Sequence, residues 1–243
     1  MKRIFCAVLA GAICVTTAVS LSGCGCSRDV EPGYTVEATS PDLRDGDFGY
    51  YVINKNELMV TEYTGSGKEI KIPETYKDYT ITSIGSFVFD SCEAEKITMP
   101  DTIKSIGDYA FASSKNLVSI NFSKNLETLG SNSFFFCKNL ESIELPASIK
   151  DLGIYTFSGT GLKSVTIPKS KTLTEIDSYV FYQCPNLTEV TIPKTVTKMA
   201  ENVFADSKNQ ITVKGSAGSY AEDYVKEFGQ NKENSNNLVF EAQ

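Results

Sequence analysis

The sequence predicts a solenoid: a stack of short coils, mainly β, with loops and short helical turns. Three recurring features predict it. An aliphatic pair three residues apart returns at Ile81/Ile84, Ile103/Ile106, Leu126/Leu129, Ile149/Leu152, Leu173/Ile176 and Val196/Met199, at intervals of 22, 23, 23, 24 and 23 residues. Five residues beyond each pair stands a phenylalanine: Phe89, Phe111, Phe134, Phe157, Phe181 and Phe204. A short strand with two apolar positions follows (Ile97/Met99, Ile120/Phe122, Ile143/Leu145, Val165/Ile167, Val190/Ile192, Ile211/Val213), and proline closes four of these strands, at Pro100, Pro146, Pro168 and Pro193.

A period near 23 residues with one alternating strand per repeat marks the leucine-rich type of solenoid. One repeat cannot bury its own apolar residues, so successive coils stack and equivalent side chains form ladders. The two apolar residues of each strand are two apart and face the same, inner side. The aliphatic pair supplies a second inner wall, and the phenylalanine plugs the coil from the convex side. Proline has no N–H to give a ladder and marks where pairing stops. A glycine after the second aliphatic (Gly85, Gly107, Gly130, Gly153) points to a bend that needs a small or φ-positive residue; Asp177 and Ala200 replace it in the last two coils.

Taken in chain order, residues 1–23 read as an export signal. Lys2 and Arg3 precede an uncharged apolar run over residues 4–19, too short for a membrane span and suited to a secretory signal. The run ends in Leu21-Ser22-Gly23-Cys24, which resembles the bacterial lipobox. That resemblance implies cleavage before Cys24 and acyl chains on its thiol and amine, enough for stable anchoring. Residues 24–48 are rich in Gly, Pro, Ser and Asp without periodicity and read as a flexible tether. Residues 49–80 should form an N-terminal cap and a partial coil, with a hairpin turning at Asn54-Lys55-Asn56. About six coils occupy residues 81–215. In residues 216–243, Ser219 before Tyr220-Ala221-Glu222-Asp223-Tyr224 and Gly229 beyond Phe228 predict a capping helix of about nine residues, with Leu238-Val239-Phe240 adding a final strand.

Units such as Ser105-Ile106-Gly107-Asp108-Tyr109-Ala110-Phe111 and Leu162-Lys163-Ser164-Val165-Thr166-Ile167-Pro168 resemble the BspA-like leucine-rich repeats of bacterial surface antigens. The resemblance covers residues 50–228 and departs locally at Phe122-Ser123 and Val213-Lys214. It implies a right-handed leucine-rich solenoid on an exported or surface protein, linked to adhesion. It carries no shared catalytic residues.

Composition narrows the chemistry. A chain of 243 residues, 41% apolar and 22% charged, fits one folded domain with a sizeable core. It has no histidine, which removes Ser-His-Asp and Cys-His nucleophiles and histidine metal sites. A net charge of −7 without a Lys/Arg stripe excludes nucleic-acid binding by phosphate neutralisation. Asp90, Glu93, Glu95, Glu144 and Glu189 offer carboxylates but no recurring pair, and neither a hydrolase nor a calcium-loop motif occurs. The protein is therefore expected to be no enzyme and to need no cofactor or metal.

Binding is the remaining expectation. The outward strand positions form a polar strip along the concave sheet: Lys96 and Thr98, Ser119 and Asn121, Ser142 and Glu144, Ser164 and Thr166, Glu189 and Thr191, with Gln210 and Thr212 last. This strip is the first choice for docking, although Thr and Ser also simply suit exposed strands. The rival is convex: Phe135, Phe136 and Tyr182 stand where other coils carry Asp90, Ala112, Ser113, Ser158 and Ala205. They mark a binding patch or pack against the neighbouring coil. The expected partners are the membrane, through Cys24, and an extracellular protein or glycan. The functional reading is a lipid-anchored adhesion or protein-binding module on the cell surface; a glycan-binding or uptake lipoprotein and a ligand-free spacer are its alternatives. Cys92, Cys137 and Cys184 share one column two coils apart, too far for a disulfide, and should be free and inward-facing.

Overall fold

The computed structural model describes residues 40–230 and 237–243; the expected signal segment, Cys24 and most of the expected tether lie outside them. The chain winds as a β-solenoid with three sides. One side is the strand face, a column of short parallel strands at Glu69–Lys71, Lys96–Thr98 and Ser119–Asn121, then Ser164–Thr166, Glu189–Thr191, Ile211–Gly215 and Leu238–Ala242. Residues 142–144 stand between the two groups without an assigned strand, so the face has eight rungs with a gap at the fourth. The second side carries the aliphatic pairs, laddered in parallel from Tyr79–Ile84 through Ser105–Ile106 and Thr128–Leu129 to Asp151–Leu152. A separate pair, Glu175–Ile176 with Lys198–Met199, follows. The third side is made of turns.

The N-terminal cap is a three-stranded antiparallel ribbon, Leu43–Asp45, Phe48–Asn54 and Glu57–Tyr63, whose last strand joins the aliphatic wall in parallel with Tyr79–Ile84. Residues 43–48 thus belong to the cap and not to the tether that their composition suggests. Arg44 reaches across to the nearly buried Glu62 carboxylate, and Asp42 accepts a bond from the Val52 N–H at 2.9 Å. These charges are structural and not the solvated beads of a linker. A second hairpin, Thr75–Tyr76 with Tyr79–Ile84, turns on Lys77 at φ +53°.

The core is written by the repeated columns. All six phenylalanines are at most 1% exposed. Their rings stack nearly parallel, with centroids 5.0 Å apart from Phe89 to Phe111 and Phe111 to Phe134, then 5.5, 5.8 and 5.7 Å onward to Phe204. Tyr63 closes this ladder at 5.2 Å and Tyr224 at 6.2 Å. Tyr224 comes from the helix Tyr220–Phe228, which takes the place of the turns in the last coil; its hydroxyl donates to the carbonyls of Ala200 and Glu201, both at 3.1 Å. The returning strand Leu238–Ala242 pairs parallel to Ile211–Gly215 and covers the apolar end of the stack.

The glycines after the aliphatic pairs answer to space, not to φ. A Cβ at Gly107, Gly130 or Gly153 would lie 2.6, 2.6 or 2.5 Å from the backbone nitrogen of Ser86, Asp108 or Ser131 in the preceding coil. The left-handed residues are instead Phe87, Tyr109, Asn132, Tyr155 and Tyr179, and further on Ser91, Ser113, Phe136, Gln183 and Asp206, two per turn in most coils. Tight stacking of backbones, and not bending, is what these glycines permit.

Cys92, Cys137 and Cys184 are buried and unbridged. Their column has a second role that apolar packing does not explain. Cys137 and Cys184 donate from sulfur to the carbonyls of Phe111 and Phe157 at 3.1 and 3.2 Å, as Ser114 does from its hydroxyl to Phe89 at 2.7 Å. Each adds a further bond to a carbonyl of the phenylalanine column that already accepts a backbone N–H, from Cys92 at Phe89, Ser114 at Phe111 and Thr160 at Phe157. Burial drives the Cys184 thiol up to about 11 and holds Cys137 far above its usual range.

Candidate binding surface

The ladder register fixes the outward strip. Lys96 lies beside Ser119 and Thr98 beside Asn121 in the first group of strands; Ser164 lies beside Glu189 and Thr166 beside Thr191 in the second. Lys96, Asn121, Ser164 and Thr166 are exposed, and Thr98, Ser119, Glu189 and Thr191 are half-buried. Ser142 and Glu144 are exposed as well, but they sit on the rung that joins neither group. The ten residues are therefore brought to one face as two laddered groups of four, with Ser142 and Glu144 on the unpaired rung between them.

The end of the strip departs from the expected alignment by two residues. Thr212 pairs with Glu189, Val213 with Val190 and Lys214 with Thr191, so Thr212 and Lys214 are the outward pair and Gln210 is not. The Lys214 ammonium lies 2.8 Å from the Glu189 carboxylate and 4.0 Å from Glu241. Glu189 of the second group is thus committed to Lys214, and the hydrogen bond that Glu189 accepts raises the Lys214 ammonium above its usual value. Similar rung-to-rung pairs line the edges, Lys150 with Glu127, Lys163 with Glu141 and Lys198 with Glu175. Being exposed and screened by solvent, each adds little to stability.

The turn side has more relief. Tyr155 and Tyr179 stack face to face at 4.6 Å, and Tyr182 stands edge-on to both at 5.8 and 5.4 Å. Phe135 and Phe136 touch at 4.5 Å. All five rings are half-buried, so the aromatics pack on neighbours and still present surface. Phe136 leans over Gly159, where a Cβ would come within 2.9 Å of the ring. Gly159 itself has φ +67°, a conformation glycine adopts at no steric cost.

Beside Phe136 the surface opens into a cleft of ≈ 750 Å³, lined by Phe136 and Lys138 on one side, Gly159 and Thr160 on its floor, and Gln183, Pro185, Asp206, Ser207 and Lys208 beyond. Its origin is local. The link from Phe157 to Val165 is one residue shorter than those from Phe134 to Ile143 and from Phe181 to Val190, and it carries Gly159 and Gly161 where its neighbours carry Phe136 and Lys138 or Gln183 and Pro185. Gly161 is held in the wall, its N–H bonded to the Cys137 carbonyl at 3.3 Å. Coil four is thereby recessed between coils three and five.

A chain of hydrogen bonds borders the cleft. The Gln183 amide donates to the Tyr182 hydroxyl at 3.0 Å, which donates to the Asp206 carboxylate at 2.8 Å. The bond to Asp206, then burial, raises the Tyr182 phenol above its usual value. The Lys138 ammonium sits 5.5 Å from the Phe136 ring centroid. Of the residues around the cleft, Phe136 and Tyr182 stand out in the sequence. Gln183, Asp206 and Lys208 occupy the same columns in later coils and carry no signal of their own. Among the described residues no group of His, Cys, Asp and Glu could hold a metal ion, and no helix is long and apolar enough to cross a membrane.

The model of the BspA-type leucine-rich repeat region matches residues 82–211 in six copies. The chain belongs to this family. Solved structures share the architecture. A leucine-rich repeat protein of T. pallidum is 19% identical, with a TM-score of 0.61 over 83% of this chain and 99% of that one. A leucine-rich cell surface protein of Faecalibacterium prausnitzii is 24% identical with a TM-score of 0.64, and the pneumococcal vaccine antigen PcpA 19% identical with 0.60. The matches cover 85% and 83% of this chain but 56% and 50% of those two longer ones. At these identities the likeness shows the fold. No curated protein matches the chain.

Proposed function

We propose that this BspA-type repeat protein is a non-catalytic binding module, exported and held on the cell surface by lipid on Cys24, whose solenoid docks an extracellular macromolecule in adhesion. Family membership supports the surface location, and Leu21-Ser22-Gly23-Cys24 supports the anchor. The coils are filled by their own apolar side chains, so recognition falls to the surface.

The sequence favours the strand strip, but the geometry favours the turn side. One observation carries this reading: the turn side has a recess over Gly159 and Thr160, beside the ring of Phe136, and concave sites with a few placed polar groups are where ligands bind. The strand strip is polar, divided at residues 142–144 and partly self-paired through Glu189 and Lys214.

Anchoring and docking are tested separately. Metabolic labelling with an alkyne fatty acid should mark the wild-type chain, and Cys24→Ala should lose both the label and the membrane fraction. Undiminished membrane association of Cys24→Ala would refute the anchor. For docking, cells displaying the chain should lose adherence when Phe136 and Tyr182 are replaced by Ala, and keep it when Asn121, Glu144 and Thr166 are. The reverse pattern would return the site to the strand face.

A further inference from the structure

We infer that the cleft between Phe136 and Asp206 is a saccharide-binding site. The inference rests on the turn side being the docking surface and names the chemistry that this surface takes. The volume of ≈ 750 Å³ lies within the range of small-ligand pockets. The cleft crosses coils three to six, three rung steps or about 14 Å, the length of a short oligosaccharide and far more than a single ion needs.

Its lining matches a sugar group by group. A pyranose has one face of C–H bonds and an edge of neighbouring hydroxyls that both donate and accept. Phe136 supplies an apolar ring, fixed in place over Gly159. Asp206 supplies acceptors only, Lys138 and Lys208 donors only, and Gln183 both. Tyr182 bonds to Gln183 and Asp206 at once, which restrains two of these groups before any ligand arrives and lowers the ordering cost of binding.

Other ligands fit less well. An extended peptide gains most from an exposed sheet edge, and the cleft walls are turns with left-handed residues at Phe136, Gly159, Gln183 and Asp206. A phosphate or nucleic acid would meet the Asp206 carboxylate on a chain of net charge −7. A lipid tail would have to desolvate Asp206 and both lysines around one ring.

The test uses the full chain, purified in a detergent without a sugar headgroup, on an array of immobilised neutral and acidic oligosaccharides, with the strongest binder then titrated calorimetrically. Saturable binding should appear, weakening about threefold to tenfold in Phe136→Ala, the range of one aromatic contact, and at least about tenfold in Asp206→Asn, which keeps shape but loses a charged acceptor. Asp206 and Gln183 are exposed, so Asp206→Asn and Gln183→Ala should keep the wild-type melting temperature even if Phe136→Ala does not. An Asn121→Ala/Glu144→Ala/Thr166→Ala chain should bind as wild type. Retention of no oligosaccharide, or binding indifferent to Asp206→Asn and Gln183→Ala, would overturn the inference. If adherence still failed in the Phe136 and Tyr182 variants, the turn side would remain the docking surface with another ligand. Lipid labelling is independent of either result.

Discussion

Replacing Phe134 by Ala probes the stack at its most heavily supported ring. Phe134 is fully buried, stacks on Phe111 at 5.0 Å and on Phe157 at 5.5 Å, and takes the edge of Phe122 at 5.6 Å. Phe204 has two ring neighbours at longer range, Phe181 at 5.7 Å and Tyr224 at 6.2 Å. Truncation of a buried Phe costs about 3–5 kcal/mol, and a ring pair is worth about 0.5–1.5 kcal/mol beyond its area. One more neighbour and closer stacking place Phe134→Ala near 5 kcal/mol and Phe204→Ala near 3 kcal/mol, within the ranges just cited. At about 2–4 °C per kcal/mol for a chain of this size, the melting temperature should fall by roughly 10–20 °C and 6–12 °C. Thermal unfolding followed by circular dichroism and calorimetry reads both. A Phe122/Phe134 double-mutant cycle should return a coupling of about 1 kcal/mol for the edge contact. Equal losses for Phe134→Ala and Phe204→Ala, or no coupling with Phe122, would refute the idea that ring neighbours set the cost.

Further outcomes follow from the columns. Cys137→Ser should be nearly neutral, since Ser114 makes the same bond in its own coil, whereas Cys137→Val should cost about 0.5–1.5 kcal/mol by removing one of the two hydrogen bonds to the Phe111 carbonyl, which keeps the Ser114 N–H at 3.3 Å; chemical denaturation measures both. With thiols raised by burial, Cys184 to about 11, alkylation at neutral pH should require unfolding, and a disulfide seen by mass spectrometry would contradict the coil register. Gly130→Ala should lower the melting temperature markedly because its methyl meets the Asp108 backbone at 2.6 Å, a clash that only a shift of the coil relieves. Amides of residues 142–145 should exchange with deuterium far faster than those of Ser119–Asn121 or Ser164–Thr166, which are laddered; equal protection would mean the fourth rung is paired in solution.

The stack is legible because a solenoid writes each structural position six times, so the aliphatic, phenylalanine and cysteine columns emerge from one sequence. What escapes are features that periodicity leaves degenerate. In Ile211-Thr212-Val213 a shift by two keeps the same face inward, so the sequence cannot tell that Val213, and not Ile211, matches Val190. The edge strand Leu43–Asp45 is polar and reads as linker, because the charges that hold it, Asp42 and Arg44, find partners far along the chain in Val52 and Glu62. Apart from Asn132 and Asp206, the left-handed turn positions are filled by Phe, Tyr, Ser and Gln, residue types that do not announce positive φ. At the cleft, Phe136 and Tyr182 are visible as odd members of their columns. The recess itself comes from side chains that are missing, at Gly159 and in a link one residue short; the sequence shows the short link, but the link from Phe89 to Ile97 is equally short, so spacing alone does not mark a recess.

One column links these irregularities. Where glycine follows the aliphatic pair, at Gly107, Gly130 and Gly153, the backbones leave no room for a Cβ and the rings stack at 5.0, 5.0 and 5.5 Å, from Phe89 through Phe157. Where Asp177 and Ala200 replace it, a side chain must fit between coils, and the rings stand 5.8 and 5.7 Å apart. The aliphatic ladder stops at the same place, between Asp151–Leu152 and Glu175–Ile176, and Ser170 fills the added length there by donating to the Ile149 carbonyl at 2.8 Å. On the strand face the unpaired residues 142–144 lie between Phe122, whose ring turns onto Phe134, and the shortened link after Phe157. Both hydrogen-bonded walls are therefore interrupted near coils three to five while the phenylalanine ladder runs through unbroken. Burial holds the molecule together across the join, and the directional bonds given up there leave room for the recess over Gly159. In a solenoid whose other coils are filled by their own side chains, this loosened half is where a surface with depth can form.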